Sequence, residues 1–288
     1  SESYQETRQA IARELGLDQP LHVQYGDYLV SLLQGDMGFS YVRGQEVTTL
    51  VFSKVPATVE LAVAATVVAI GLSIPLGVVS ATRRNQPVDW LATLFSLAGI
   101  STPNFWLGIM LILVLAVQLG IFQTSGRAVA AVEVAAAVVG PASFVKTLRL
   151  WLAHITLPAV ALGTYFTALV TRLTRSGMLD ELGKPYVRAA RAKGLPEAMV
   201  RYKHALRNTL IPVITVLGLQ LGTLIGGAVI TEAVFSWPGL GTLVIRSINL
   251  RDWPVLQGSL IVIGTSFVLV NILVDVVYSS LDPRVVND

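Results

Sequence analysis

Five stretches of this chain carry no Asp, Glu, Lys or Arg over a length that can span a bilayer: 61–82, 90–126, 150–171, 208–231 and 253–274. About 20 apolar residues rising 1.5 Å each cross a hydrocarbon core of roughly 30 Å. Four of the stretches fit one helix each; 90–126 is longer. A single such stretch could be the buried helix of a soluble protein. Five of them, with little amphipathic sequence between, require a membrane. Composition agrees: 53% of the 288 residues are hydrophobic and only 14% charged. That is too few charges to cover a water-facing surface or to keep a chain disordered. A net charge of +3 without a dense basic stripe argues against a nucleic-acid partner. With no cysteine, disulfides, thiolate metal sites and cysteine nucleophiles are excluded.

The long stretch holds Ser101-Thr102-Pro103-Asn104 at its middle. It reads as one long or kinked helix from about Trp90 to Ile121, because two crossings would need a turn inside the membrane. A sixth candidate, 128–145, is rich in Ala and Val but contains Glu133 and Gly140-Pro141. A mid-span Glu costs a few kcal/mol, so this segment reads as an extramembrane loop or surface helix. The expected spans are 57–82, 90–121, 150–171, 208–231 and 253–275. They join an extracytoplasmic segment 1–56, an outer loop 122–149, a cytoplasmic loop 172–207 and a tail 282–288.

Orientation follows from the cations of the short loops. Loop 172–207 carries Arg172, Arg175, Lys184, Arg188, Arg191, Lys193, Arg201, Lys203 and Arg207, and loop 83–89 adds Arg83 and Arg84. The positive-inside rule places both, and the C-terminus, in the cytoplasm. A spanning 128–145 would put the two cationic loops on opposite sides. The first 60 residues then lie outside, without a signal-peptide pattern.

Within the cationic loop, residues 186–193 favour a short helix, with Gly194 at the C-cap and Pro196 as a stop signal. Arg188, Arg191 and Ala192 share one side of it, while Ala189, Ala190 and Lys193 turn away. Such a small basic helix could dock in a groove of a cytosolic partner or be a solvated loop that sets topology. No phosphate-binding loop is encoded. The nearest string, Gly177 to Pro185, has one residue too many and proline where the Mg-binding hydroxyl belongs.

Tyr186-Val-Arg-Ala-Ala-Arg-Ala-Lys-Gly194 resembles the "EAA" loop of ABC-importer permeases in its peptide/nickel variant, with Arg188 where the general pattern has Glu. His204-Ala-Leu-Arg-Asn-Thr-Leu-Ile-Pro212, Glu14 to Leu21, Gly35 to Ser40, Phe235-Ser-Trp-Pro-Gly-Leu-Gly241 and Leu281-Asp-Pro-Arg284 match the same branch, in order. Only about 120–150 matches poorly. The chain thus resembles the B-type permease subunit of dipeptide, oligopeptide and nickel ABC importers.

The resemblance implies an all-α membrane protein with the type I ABC importer permease fold. Five transmembrane helices lie in this sequence, and a further one is expected ahead of the region matching 11–56. It implies a second permease subunit, two ATPase subunits that bind ATP and Mg, and an extracytoplasmic substrate-binding protein. No cofactor or metal is expected on this chain, and it is not expected to be an enzyme. Tyr186, Arg188, Ala189, Ala190, Arg191, Lys193 and Gly194 would form the coupling helix that seats in an ATPase subunit. Its basic residues would either pair with ATPase acids or only obey the positive-inside rule.

Polar residues within the spans are candidates for the transport path: Ser101, Thr102, Asn104, Thr164, Tyr165, Thr167, Gln220 and Thr223. The alternative for each is an interhelical hydrogen bond. Gly218, Gly222 and Gly226 clear one helix face for close packing. Phe235, Trp237, Pro238 and Gly239 read as an outer gate, or else as an interfacial anchor. The expected cargo is a di- or oligopeptide, with glutathione or nickel as alternatives. An ion-coupled secondary transporter would carry an intramembrane acid or paired repeats, yet Glu60, Glu232 and Asp275 all fall near span ends. An intramembrane hydrolase would need a Ser/His, aspartate-pair or HExxH arrangement, and His154, the only span histidine, has no clear partner.

Overall fold

The computed structural model describes residues 18–139 and 141–281, the side chains at 139, 141, 142, 219, 221, 223, 225, 227 and 277–281 excepted. The tail 282–288, the last three residues of the Leu281 to Arg284 motif, the first half of the Glu14 to Leu21 motif and the Thr223 side chain lie outside the described residues. The fold is helical. Helix α1 (Leu21–Leu33) precedes a two-stranded antiparallel hairpin, β1 (Phe39–Ser40) and β2 (Gln45–Glu46), and a short α2 (Val47–Phe52). Val47 and Val51 pack on Leu240, Leu243, Val255 and Val262, which fastens this segment to the last third of the chain.

Two long helices make the spine, α3 (Val55–Thr82) and α7 (Pro141–Leu182). On α3, Ala57, Leu61, Ala65, Ala69, Ser73, Gly77 and Ala81 are all buried and recur every fourth residue. This i, i+4 row of small residues lets α7 approach along the whole length. A Cβ on Gly163 of α7 would lie 2.7 Å from the Ala65 carbonyl oxygen, and one on Gly77 would lie 2.6 Å from Thr174 Cβ. The backbones therefore touch where larger side chains would hold them apart.

Helix α7 runs far beyond the expected span 150–171. Its 42 residues measure about 63 Å, twice a hydrocarbon core. Lys146 and Arg149 lie on one extension, Arg172 and Arg175 on the other. Charges end the apolar zone, but they do not end a helix. The rejected candidate 128–145 is split accordingly. It forms α6 (Ala131–Ala136) and a 3-10 turn over Ala137–Val139, and from Pro141 it belongs to α7.

The expected single helix over 90–121 is instead two, bent by 110°. Helix α4 (Pro87–Ser101) stops at Thr102, and α5 (Asn104–Leu111) continues into a π-helical stretch, Ile112–Gln118. Proline excludes the α region for the residue before it, and Thr102 is extended at ψ 126°. Pro103 is extended as well, at ψ 133°. Two consecutive extended residues turn the chain rather than kink it.

A second π-helical stretch, Met199–Ala205, leads into α9 (Leu206–Val234), which packs on α7 through Val213 and Leu217 against Val170. Helices α10 (Leu240–Leu250) and α11 (Trp253–Leu281) close the chain. Between α7 and α9 lies α8 (Pro185–Ala192).

Candidate functional site

Helix α8 is built as the sequence reading requires. Lys184 enters extended, Pro185 supplies a preset first turn, and Gly194 leaves at φ +76°. Gly194 N–H donates to Arg191 O at 2.9 Å and Leu195 N–H to Ala190 O at 3.3 Å. These two bonds form a Schellman cap, in which the glycine takes the left-handed position. The two sides drawn from the sequence do not separate by burial. Val187 and Ala190 turn inward onto Val200, Leu182 and Leu195. Arg188, Ala189, Arg191, Ala192 and Lys193 are exposed.

Arg191 has a partner within the chain. Its Nε donates to Glu197 Oε1 at 2.6 Å, and Arg201 Nε donates to the other oxygen at 3.0 Å. The hydrogen bond from Arg191 holds the Glu197 carboxyl below the ordinary glutamate range. Arg188 and Lys193 form no ion pair among the described residues. Beneath α8, Tyr186 donates its hydroxyl to Glu181 Oε2 at 2.5 Å and accepts from Asn208 Nδ2 at 3.0 Å. Lys184 Nζ occupies Glu181 Oε1 at 2.5 Å. Burial and then the Glu181 bond push the Tyr186 hydroxyl pKa up, while the Glu181 carboxylate raises that of Lys184.

Arg175 is also committed. Its Nε and Nη2 meet Asp89 Oδ1 and Oδ2 at 2.6 and 2.9 Å, a bidentate pair. Ser80 Oγ and Asn85 N–H complete the Asp89 shell at 2.5 and 2.9 Å. The short loop 83–89 is thereby clamped to α3 and α7.

At the far end, the candidate gate is a tightly held core element. Phe235 and Trp237 are buried, which removes the interfacial-anchor alternative. Trp237 Nε1 donates to Ala57 O at 2.8 Å. The Glu232 carboxyl accepts from Thr58 Oγ1 at 2.6 Å, Gly241 N–H at 2.7 Å and Thr242 N–H at 3.2 Å. Thr58 in turn accepts from Leu240 N–H at 2.8 Å. The carboxyl fills the space where Cβ atoms on Gly239 and Gly241 would stand, 2.2 Å and 3.1 Å from its oxygens. Arg127 lies 5.8 Å over the Trp237 ring and pairs with Glu60, which also accepts from Trp151 Nε1 at 2.5 Å. Loop 122–149 thus closes onto the same cluster.

The candidate path residues are scattered. Ser101, Thr102 and Asn104 stay at the α4–α5 break. Thr164 and Thr167 bond back to Val160 O and Gly163 O of their own helix, and Thr167 is buried. Tyr165 stacks edge-on against Phe166 at 5.4 Å. Gln220 is half-buried on α9. A cavity of about 630 Å³ lies elsewhere, between α3 and α7, lined by Val63, Val67 and Ile155 and roofed by Glu60 and Arg127. Of the glycine row, Gly218 and Gly222 face Val274, Phe267 and Asn271 of α11, whereas Gly226 has nothing within 4 Å.

Residues 73–287, which include α8, its supports and Glu232, match the family described as binding-protein-dependent transport system inner membrane component. The chain belongs to this family. It is 41% identical over 292 residues to the dipeptide transport system permease protein DppB of Alkalihalophilus pseudofirmus, covering 98% of this chain and 87% of that protein. It is 40% identical over 288 residues to the oligopeptide transport system permease protein AppB of Bacillus subtilis, covering 98% and 85%. The fold is that of an inward-facing structure of the MetNI methionine ABC transporter. The TM-score is 0.60 over 81% of this chain and 96% of that one, at 17% identity. The chain is therefore an ABC importer permease, a transport subunit rather than an enzyme.

Four partners of this permease's motif residues escaped the sequence reading: Glu181 and Asn208 beneath Tyr186, and Thr58 and Glu232 around the Trp237 loop. Glu197 and Arg201 are spaced i, i+4, so their link was open to inspection. Thr58 and Glu232 are 174 residues apart, and nothing local announces their contact.

Proposed function

We propose that this permease carries di- or oligopeptides into the cytoplasm by alternating access, with α8 as the coupling helix. The observation that carries the reading is the form of α8. It is a capped two-turn helix with an apolar underside seated on its own chain and a small, cationic, exposed upper face. A groove on a partner ATPase would take that face, and closure of the ATPases on ATP and Mg would move it as a lever on a two-state pathway. Arg188 and Lys193 are the cations available to the partner, since Arg191 is held by Glu197.

The assembly would hold a second permease and two ATPase subunits, with a binding protein docked on segments 1–56 and 122–149. The nine cations of loop 172–207 support a cytoplasmic location for it and for the C-terminus, in a multi-pass inner-membrane chain. Peptide cargo is supported by the names of the relatives. Ser101, Thr102, Asn104, Thr164, Tyr165, Thr167, Gln220 and Thr223 remain the proposed path, and the Phe235 to Gly239 loop its outer limit.

The test is uptake in proteoliposomes of the complete transporter. Arg188→Glu and Gly194→Asp should abolish binding-protein-stimulated ATP hydrolysis and uptake together. Survival of both activities in both variants defeats the coupling role. Uptake that persists when the ATPases cannot hydrolyse ATP defeats the importer reading in favour of an ion-coupled one. The ligand held by the partner binding protein decides between peptide, glutathione and nickel.

A further inference from the structure

We propose that the Tyr186 hydroxyl is a positioning group that fixes the angle of the coupling helix to both transmembrane helices it joins, so that it sets how much transport each ATP produces. This inference rests on the coupling role of α8.

A helix of eight residues cannot hold its own orientation. Helix α8 has two attachments. The first is the apolar seam of Val187 and Ala190 on Val200, Leu182 and Leu195. Apolar contact is non-directional, so the seam holds α8 down but lets it rock about its axis. The second is the Tyr186 joint, which is directional. The phenol ring lies at the first turn of α8, its proton goes to Glu181 at the end of α7, and its lone pair receives Asn208 from the start of α9. One oxygen atom thus ties three elements.

The joint is fully satisfied. Glu181 is buried to 9% exposure, and its second oxygen is taken by Lys184. The surroundings suit a pivot. Only Gly183 and Lys184 separate α7 from α8, so the α7 end moves with the lever. On the other side Met199–Ala205 is π-helical, a form found at functional sites inside helices. The His204 carbonyl of that stretch lies 3.4 Å from the Tyr186 hydroxyl, a second acceptor at the edge of reach. The hydroxyl therefore stands between a rigid helix end and a deformable one.

Tyr186→Phe removes the oxygen and keeps the ring and the apolar seam. In proteoliposomes of the complete transporter, the variant should still assemble with its ATPases. The binding-protein concentration giving half-maximal stimulation should not change. Substrate transported per ATP should fall about five- to tenfold, the scale of one ordinary hydrogen bond. Asn208→Leu should give the same defect, and the double variant no further loss, because both remove one joint. The proposal is overturned if Tyr186→Phe transports as much per ATP as the parent. It is equally overturned if the variant fails to recruit the ATPases, since Tyr186 would then be a docking contact. Arg188→Glu leaves the joint intact and tests the coupling role alone. If it is silent, the coupling reading fails. If it abolishes transport while Tyr186→Phe is silent, only the joint fails.

Discussion

Glu232 should be the most expensive single polar side chain to remove at the far end of this permease. Its carboxyl receives two backbone N–H groups from the first turn of α10 and the Thr58 hydroxyl, all buried. Glu232→Ala strands the Gly241 and Thr242 amides. A buried unsatisfied donor costs about 1–3 kcal/mol, so the variant should lose about 3–5 kcal/mol. Thr58→Val removes one bond to Glu232 and the acceptor of Leu240 N–H, a loss of about 2 kcal/mol. Both substitutions break the same contact, so the double variant should cost about 1–2 kcal/mol less than the sum of the singles. The assay is unfolding in mixed micelles followed by tryptophan fluorescence, since Trp237 is buried beside the site. Gly239→Ala supplies an internal check. Its Cβ would overlap the Glu232 carboxyl, so Glu232→Ala should partly relieve it. Additivity of Glu232→Ala and Thr58→Val within about 0.5 kcal/mol would refute the shared lock, as would worsening of Gly239→Ala by Glu232→Ala.

Asp89→Asn leaves Arg175 facing a neutral amide in a half-buried clamp and should cost about 3 kcal/mol. The paired Asp89→Leu/Arg175→Leu variant should cost less, and equal losses would show that the ion pair is not the holding element. Glu197 titrates below the ordinary glutamate value, so its link to Arg191 is present above that value and is lost as pH falls through the lowered one. With no cysteine in the chain, an Ala192→Cys fluorophore should give a steady signal from about pH 7 to about pH 5, then change. Glu197→Gln should remove that acid transition, and a transition at neutral pH would contradict the assignment.

Absence of charge marks where lipid lies, which is a different boundary from where a helix ends. The five uncharged stretches therefore follow apolar sequence yet miss 20 residues of α7, because Lys146, Arg149, Arg172 and Arg175 are good helix formers in water or at the headgroups. Helix α8 was legible for the opposite reason: its start, cap and stop are all local chemistry within Lys184 to Pro196. The Glu232 lock and the Asn208 bond to Tyr186 were not legible, because they depend on residues brought together by packing of α9 on α3 and beside α8.

The α4–α5 break turns on a local signal, Pro103, whose effect depends on its neighbours. Proline inside a membrane helix is commonly tolerated, since neighbouring groups re-satisfy the freed carbonyl, and a kink is the usual result. Here Pro103 has Thr102 before it in extended geometry and is itself extended, so two residues leave helical space and the axis turns by 110°. If proline is the cause, Pro103→Ala restores an amide donor and frees Thr102 to enter the α region. Spin labels at Trp90 and Val117 would then move apart as the arms open. If packing is the cause, their separation will stay unchanged, because Gly99 on α4 abuts Ala168 of α7 and Gly108 on α5 abuts Phe235. Those two contacts seat each arm independently of the turn. The structure favours a mixed outcome: an opening of a few ångströms in the isolated permease, enlarged when bulkier residues at Gly99 or Gly108 break those contacts. A full straightening would show that the Phe235 contact carries no weight.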